Sequence, residues 1–245
     1  MQVLCKGIPI DYSEQGKGPT LLFVHGWGDS KKTWQALIEI LAKDYRCIAL
    51  DLPNFGASGR SASIVSLESM SGAIAEFLLK LRIDTYTYVG HSMGGQIGLF
   101  AVGSGALRPE KLVIIAGAGI RGERTVRNMV LKVAAKAAKP LVSKKLKTKL
   151  YKRIGSDYDP NLSLEQKAVI KSVLSHDVQI EAAMISVPTL LLYGEQDTAT
   201  PPRFGYILHR IIGGSQYDQI AEADHWLHQT HAAIVAERIR GFISA

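Results

Sequence analysis

The hydrophobic positions of this chain alternate between short apolar runs and longer stretches with helical spacing. Thr20–Val24, Cys47–Leu50 and Lys111–Ala116 are short and largely apolar, which is typical of strands buried on both faces. The stretch Ser66–Leu81 instead places apolar residues three and four positions apart, as on one face of a helix. Strands that alternate with helices predict a mostly parallel sheet with helices on both faces.

We predict eight strands, so the expected fold class is α/β with a mostly parallel eight-stranded sheet. The predicted strands are 3–5, 8–12, 20–24, 47–50, 85–89, 111–116, 188–193 and 217–221. The first two surround the turn Lys6-Gly7. A helix should begin at Asp29 or Ser30 and end near Leu41, and another should cover 232–243.

Residues 120–186 interrupt this alternation because they contain no strand pattern. One face of the first predicted helix in this stretch is apolar and another face is basic. The apolar members are Val126, Met129, Val130, Val133 and Ala137, and the basic members are Lys132, Lys136 and Lys139. We expect a helical lid, inserted after the sixth strand and placed above the carboxyl edge of the sheet. Residues 1–119 and 187–245 would form the core.

Five polar side chains stand just past predicted strands: His25, Asp51, Ser92, Asp197 and His225. Carboxyl ends of parallel strands meet at one edge of a sheet, and active sites of open α/β sheets gather there. The sequence therefore predicts a site at this edge.

Ser92 lies in the pentapeptide Gly90-His91-Ser92-Met93-Gly94, between a predicted strand and a predicted helix. This G-x-S-x-G pattern in a strand–turn–helix context predicts a nucleophile elbow. The turn is so tight that side chains two residues before or after the serine would clash, so glycine is needed at both places. A glycine-rich turn with a spectator serine is the alternative.

A serine hydroxyl is a weak nucleophile until a base takes its proton, and histidine suits that role near neutral pH. A carboxylate must then orient the imidazole. Ser92, Asp197 and His225 occur in the chain order in which a nucleophile elbow finds its acid and its base.

Other acids compete with Asp197 for this role. Glu123 follows the sixth strand and is the second candidate. Glu195 lies in a tight turn and is expected to point elsewhere, whereas Asp224 adjoins His225 and is poorly placed to reach the far ring nitrogen of the histidine.

His225, His228 and His231 follow one another at three-residue spacing, which raises the question of a zinc site. No cysteine or carboxylate motif accompanies them, and the three side chains would splay around a helix. We therefore expect no metal and no cofactor, with His228 and His231 as ordinary residues of the last helix.

The negative oxygen of a tetrahedral intermediate needs backbone N–H donors. We expect one donor from Met93, the residue after the serine, and another from Trp27, in the loop after strand 20–24. The indole of Trp27 is also expected to line the pocket, together with His25 and His91.

The composition of the chain indicates the size of its core and its expected cellular location. The chain has 245 residues and 47% hydrophobic content, which is enough for one substantial core. It has neither an apolar run of membrane-spanning length nor an apolar leader. Cys5 and Cys47 lie in strand-like runs and are expected to be reduced core residues. These features predict a cytoplasmic protein.

The net charge of +7 is concentrated in one segment. Residues 120–153 contain 12 Lys or Arg and one acid, so they carry +11, whereas the rest of the chain carries −4. This distribution argues against a nucleic-acid partner. The segment is either the solvated face of amphipathic helices or a patch for an anionic partner. Such a partner would be an acidic carrier protein, a lipid surface or a charged substrate.

These residues together resemble the α/β-hydrolase family over nearly the whole chain. The matching segments are His25-Gly26-Trp27-Gly28, Asp51-Leu52-Pro53 with Phe55-Gly56 and Ser58, residues 90–94, Gly194 to Asp197, and His225. In that family the aspartate after the seventh strand is the usual triad acid, which corresponds to Asp197. Asn54 is a departure, since the family often has glycine there.

The resemblance implies a hydrolase that acts on a small-molecule ester. A serine at the elbow excludes the dehalogenases and epoxide hydrolases of the family, which place aspartate there. Hydrolysis of esters, thioesters, peptides or C–C bonds of dienoate ketones, and perhydrolysis, all stay open. The resemblance is nearest to small bacterial carboxylesterases. The Trp27-Gly28 and Phe55-Gly56 forms are also similar to the esterase that demethylates pimeloyl esters on acyl carrier protein. Hormone receptors of the family are a non-hydrolytic alternative.

Overall fold

The computed structural model of the protein describes residues 1–121 and 162–245. Two compact units divide the chain. The first consists of Met1–Ile120 and Leu164–Ala245, and the second is Arg121–Ser163. The first unit contains the sheet and every residue proposed for the site except Glu123, which lies outside the described residues.

Eight strands of the described residues form one sheet. They are β1 Gln2–Cys5, β2 Ile8–Gln15, β3 Thr20–Val24, β4 Arg46–Leu50, β5 Thr87–His91, β6 Lys111–Ile115, β7 Thr189–Gly194 and β8 Gln216–Ile220. Their spatial order is β1-β2-β4-β3-β5-β6-β7-β8. β2 is antiparallel to both of its neighbours, and all other pairs are parallel. The predicted mostly parallel eight-stranded sheet is confirmed.

Helices precede or follow most of these strands. They are α1 Gln35–Leu41, α2 Leu67–Lys80, α3 Met93–Gly103, α4 Leu164–Ser175, α5 Gln179–Ala183, α6 Pro202–Ile211, α7 Leu227–Thr230 and α8 Ala232–Ser244. The helix expected from Asp29 or Ser30 to Leu41 is divided, because a 3-10 turn at Lys31–Trp34 precedes α1. Sequence periodicity does not separate a short 3-10 turn from an α-helix that continues it.

Two hydrophobic clusters cover the two faces of the sheet. Consecutive residues of β3 alternate between them: Leu22 and Val24 belong to the cluster that contains α2 and α3, whereas Leu21 and Phe23 belong to the cluster that contains α1 and α8. Side chains of a strand point alternately to opposite faces, so an entirely apolar strand needs cover on both sides. The predicted helices on both faces are confirmed.

The chain returns to the first unit at α4, before the predicted end of the insertion. α4 and α5 belong to the first unit, so the second unit is shorter than the expected insertion of 120–186. The side-chain amide of Gln96 on α3 donates to the carbonyl oxygens of Val173 at 3.0 Å and His176 at 3.2 Å. The helical character and the lid position expected for the insertion fall mostly on residues 122–161, which lie outside the described residues.

The loop after β4 is organised by buried polar groups. Asp51 accepts hydrogen bonds from the backbone N–H groups of Lys31 at 2.6 Å and Ala57 at 2.7 Å. Asn54 has φ 74°, a left-handed conformation that favours glycine and that asparagine tolerates. Its side chain donates to the carbonyl oxygen of Ile64 at 2.8 Å. Asparagine therefore adopts here a backbone conformation in which glycine would also be unstrained.

The remaining composition-based expectations concern cysteines and membrane spans. Cys5 and Cys47 are both fully buried and unpaired, as predicted. Burial raises the pKa of the Cys5 thiol to about 11 and that of the Cys47 thiol to about 12. Across the two described ranges, every helix is too short or too polar to cross a bilayer.

Candidate active site

Ser92 occupies the turn that the elbow motif predicts. β5 ends at His91, α3 begins at Met93, and Ser92 between them has φ 50° and ψ −110°. Such backbone strain in a non-glycine residue costs on the order of 1–3 kcal/mol and persists only where the surrounding structure enforces it. The conformation is therefore the one that an exposed nucleophile at the sheet edge requires.

Glycine is required on both sides of Ser92 for steric reasons. A Cβ atom at Gly90 would lie 2.6 Å from the carbonyl oxygen of Gly94. A Cβ atom at Gly94 would lie 2.1 Å from the carbonyl oxygen of Val24. Both distances are far inside van der Waals contact, so the requirement predicted from the motif is confirmed.

Asp197 and His225 meet at the carboxyl edge of the sheet. Asp197 follows β7, His225 follows β8, and these two strands are parallel neighbours. Nδ1 of His225 lies 2.8 Å from Oδ2 of Asp197. The carboxylate has no exposed surface, whereas the imidazole retains 17% of its own. The imidazole of His225 is therefore partly exposed to solvent, whereas the carboxylate of Asp197 is buried.

The carboxylate of Asp197 is held in its ionised form. Burial by itself would raise the pKa of Asp197, but the hydrogen bond and charge interaction with His225 lower it, as do hydrogen bonds from Thr200. The net result is a pKa below the ordinary value for aspartate. The backbone N–H groups of Ala199 and Thr200 both donate to Oδ1 at 2.8 Å, which fixes the carboxylate plane.

The competing acids have other partners. Oε2 of Glu195 accepts a hydrogen bond from the backbone N–H of Glu222 at 3.0 Å. Oδ1 of Asp224 accepts one from the backbone N–H of Trp226 at 2.9 Å. Both carboxylates therefore serve as turn acceptors. Glu123, the second candidate for the acid, lies outside the described residues.

Thr200 is a member of this constellation that the sequence reasoning missed. Its Oγ1 lies 2.8 Å from Oδ2 of Asp197, 2.8 Å from the carbonyl oxygen of Ala116 and 3.2 Å from Nδ1 of His225. Thr200 thus links the turn that carries Asp197 to the residue that follows β6. The signal available in the sequence is the polar residue three positions after an aspartate, a pattern that is equally typical of an ordinary turn.

His25 supports the loop after β3 and does not face open space. Its Nδ1 donates to the carbonyl oxygen of Gly26 at 2.7 Å, and its Nε2 accepts from the backbone N–H of Leu52 at 3.0 Å. Burial lowers the pKa of His25, so the ring is neutral. His25 and His91, both expected to line the pocket, have no exposed surface.

His228 is a buried residue, which corrects its expected place as an ordinary residue of the last helix. It lies in α7, ahead of α8, and is fully buried. Its ring centroid is 4.2 Å from that of His91, and its Nε2 is 2.8 Å from Oγ1 of Thr33. His231 is partly exposed between α7 and α8. Within the described ranges, no group of three or more His, Cys, Asp or Glu side chains is arranged to hold a metal ion.

Trp27 and Met93 lie at the ends of neighbouring strands. β3 and β5 are paired in parallel, with Val24 opposite Gly90, so the loop after β3 and the start of α3 are adjacent. Met93 opens α3, where backbone N–H groups have no partner within the helix. The half-buried ring of Trp27 packs edge-on against Phe55, with ring centroids 5.2 Å apart. Their roles as oxyanion donors stay predictions.

We expect the folded protein to lose stability steeply as the pH falls below about 6.5. His25, His91 and His228 are buried, and burial lowers the pKa of each, that of His228 to about 3. Between these folded values and the ordinary value, the unfolded chain binds more protons than the folded protein does. In that range, each pH unit by which the solution is acidified therefore lowers the free energy of unfolding by about 1.4 kcal/mol for each histidine.

Urea unfolding at pH 8, 7, 6, 5 and 4 measures this dependence. Each of the three buried histidines contributes to the slope between the ordinary value and its own lowered pKa, and His228 does so down to about pH 3. His228→Leu should therefore reduce the slope by about 1.4 kcal/mol per pH unit between about pH 6 and pH 4. Equal stability at pH 7 and pH 5 would contradict the prediction.

Comparison with known proteins gives three kinds of match. A family model described as the alpha/beta hydrolase fold matches residues 19–232. The crystal structure of the enol-lactonase from Burkholderia xenovorans LB400 is similar with a TM-score of 0.79 and 22% identity, and the match covers 100% of both chains. At this identity, the likeness shows a common fold.

Two curated relatives of similar identity have different names. A 2-hydroxy-6-oxo-6-(2'-aminophenyl)hexa-2,4-dienoic acid hydrolase of Metapseudomonas resinovorans is 26% identical, across 97% of this chain and 88% of its own. A pimeloyl-[acyl-carrier protein] methyl ester esterase of Nitrosomonas europaea is 25% identical, across 76% of this chain and 80% of its own. These two relatives therefore differ in the activity that their names give.

Proposed function

This chain belongs to the alpha/beta hydrolase fold family, and on that premise we propose that it is a serine hydrolase that cleaves a carboxylic ester. Ser92 is the nucleophile, His225 the base and Asp197 the acid that orients the base. The observation that carries the proposal is the 2.8 Å hydrogen bond between His225 and Asp197, at the sheet edge where β5 delivers Ser92 in its strained turn.

The protonation states support this assignment. An ionised carboxylate can only accept, so Nδ1 of His225 carries the proton that is donated to Asp197. The other ring nitrogen, Nε2, then has a free lone pair that can take the proton of the Ser92 hydroxyl. As Ser92 attacks the ester carbonyl, His225 becomes an imidazolium, and the buried carboxylate stabilises its charge.

The backbone N–H groups of Met93 and Trp27 are the proposed donors to the tetrahedral oxyanion. The N–H of Ser92 itself is engaged, because it donates to the carbonyl oxygen of Ile115 at 3.0 Å. Collapse of the intermediate expels the alcohol, which takes its proton from His225 and leaves an acyl group on Ser92. A water molecule, activated by His225, then hydrolyses the acyl-enzyme.

Ester cleavage is favoured over C–C cleavage by what the described residues supply. An activated serine, a base and N–H donors suffice for acyl transfer to an oxygen leaving group. A carbon leaving group can take its proton from the same His225, but the substrate must also stabilise the electron pair left on that carbon, which an ester oxygen does by itself. C–C hydrolysis of a dienoate ketone therefore stays the alternative, which the similarity to a dienoic acid hydrolase supports. A ligand receptor of the same fold is the non-enzymatic alternative.

A screen of p-nitrophenyl esters of increasing acyl length tests the proposal, with a dienoate ketone as a parallel substrate. We expect ester turnover in the wild type and none in Ser92→Ala. Turnover of the dienoate ketone alone would replace ester hydrolysis with C–C hydrolysis. Absence of turnover of every substrate, with a folded protein, would favour the receptor.

A second candidate is the hydrolysis of an ester carried by an acidic protein. The net charge of +11 in residues 120–153 and the similarity to an acyl-carrier-protein methyl ester esterase favour it. Clustered positive charge raises the local concentration of an anionic partner and is screened by salt. Almost all of these residues lie outside the described part of the chain.

We expect the protein to bind immobilised acyl carrier protein at low salt and to be released at high salt. The double variant Lys144→Glu/Lys145→Glu should weaken retention, and the surface control Lys17→Glu/Lys43→Glu should not. Co-sedimentation with anionic and neutral vesicles serves as the second arm. Retention on anionic vesicles alone would favour a lipid-surface role, and no salt-sensitive retention in either arm would leave the segment as a solvated face.

A further inference from the structure

His91 links two members of the proposed triad. It directly precedes Ser92 in the chain, and its Nε2 lies 2.9 Å from the backbone carbonyl oxygen of His225. A carbonyl oxygen can only accept, so Nε2 carries a proton and donates it. The side chain of the residue next to the proposed nucleophile is thus hydrogen-bonded to the backbone of the proposed base.

Aromatic rings enclose the ring of His91. The ring centroids of His225, Trp226 and His228 lie 4.8 Å, 5.3 Å and 4.2 Å from that of His91. The ring of Trp34 in turn lies 4.7 Å from that of His228. His91 is therefore packed between the loop that carries the base and a stack of two buried rings.

The far end of this stack is tied to the 3-10 turn Lys31–Trp34. Oγ1 of Thr33 lies 2.8 Å from Nε2 of His228 and accepts a hydrogen bond from the side-chain amide of Gln229 at 2.6 Å. α7 is thus anchored to a segment almost two hundred residues away in the chain. His228 cannot shift from His91 without breaking this contact.

The loop after β3 closes the remaining side of His91. A Cβ atom at Gly26 would lie 2.9 Å from Nδ1 of His91 and 3.2 Å from Cβ of Ser92. His91 has no exposed surface, so it does not touch a substrate in this conformation. Its ring is fixed by packing, and its single strong polar contact goes to His225.

We propose that His91 is a positioning residue that holds His225 at its working distance from Ser92, with His228 as its support. The inference rests on the proposed function, since it assigns His91 a part in that reaction. A general base works only within hydrogen-bond reach of the proton it takes, and a misplacement of about 1 Å can cost about 100-fold in rate. The bond to Asp197 orients the ring of His225, and the hydrogen bond from His91 holds its backbone, so both contacts are needed to place the base.

Two substitutions separate the hydrogen bond from the packing. His91→Leu fills the site but removes the donor, whereas His91→Gln keeps an N–H donor at a similar reach. We expect His91→Leu to lower kcat by about 10- to 100-fold with KM changed by no more than about twofold. His91→Gln should recover kcat to within about fivefold of the wild type. Ile239→Val, a buried change in α8, is the matched control for a loss of core stability alone.

Hydrogen–deuterium exchange of the segment 222–228 gives a readout that does not depend on the reaction. We expect faster exchange there in His91→Leu, but not in His91→Gln or Ile239→Val. If His91→Leu keeps wild-type kcat and wild-type exchange, or if glutamine fails to restore either, the positioning role is overturned. If the wild type hydrolyses no ester while His91→Leu still loosens 222–228, the proposed function fails and the contact between elbow and loop stands.

Discussion

Replacing Ser92 with alanine is expected to lower kcat for ester hydrolysis by about 10⁴- to 10⁶-fold. The alanine side chain has no oxygen to form the acyl-enzyme, and the other members of the triad then have no proton to transfer. Alanine also removes only one atom from a position whose φ of 50° already carries its strain in the wild type. The fold should therefore be preserved, as thermal unfolding can verify.

Mass spectrometry after treatment with a fluorophosphonate probe gives the matching chemical result. The adduct should be found on Ser92 in the wild type, and Ser92→Ala should remain unlabelled. Ser104→Ala, at the end of α3, is the control serine and should keep both activity and labelling. An adduct on another serine, or an alanine variant with wild-type turnover, would show that the nucleophile is misassigned.

The second large effect is expected at the pair formed by His225 and Asp197. His225→Ala removes the base and should be nearly inactive. Asp197→Asn should lower kcat by about 10⁴-fold, because an amide favours the wrong imidazole tautomer. The lowered pKa of Asp197 keeps that carboxylate ionised at neutral pH, so Asp197→Asn removes a negative charge as well as a hydrogen-bond acceptor.

The controls for this pair are His231→Ala and Glu123→Gln. His231 is partly exposed, and its substitution should leave kcat within about twofold of the wild type. Substitution of Glu123 tests the second candidate for the acid. If Glu123→Gln is more damaging than Asp197→Asn, the assignment of the acid is wrong. His228→Ala is not a neutral control. At an exposed helical position the substitution would be harmless, but at this buried position it would open a cavity beside His91.

Several properties of the site are encoded locally and could be predicted from the sequence. Apolar runs identify the strands and helical spacing identifies the helices, since both patterns report only which side chains need to be buried. The two glycines around Ser92 are equally local, because the clash they avoid arises within and beside a single turn. The order Ser92, Asp197, His225 then follows from the ends of three predicted strands.

The tertiary structure shows contacts that separate three of the candidate acids. Asp197, Glu195 and Asp224 are all close in sequence to a strand end or to His225. Their carboxylates differ in which N–H groups reach them, and the turns after β7 and β8 determine that. The contact of Thr200 with Ala116 also depends on how β6 and β7 are placed side by side. No local pattern reports such a contact.

The position of His228 shows the same limit most clearly. Its spacing from His225 and His231 is typical of one helix, but α7 covers only Leu227–Thr230, so His228 is the one of the three that lies in a helix. The spacing also does not report which face is covered. That cover comes from Thr33, Trp34 and His91, and the contact with Thr33 spans 195 residues of sequence. The sequence by itself thus determined the strands, the elbow turn and the chain order of the proposed nucleophile, acid and base. The tertiary structure alone decided which side chains surround them, because burial is set by contacts between segments remote in the chain.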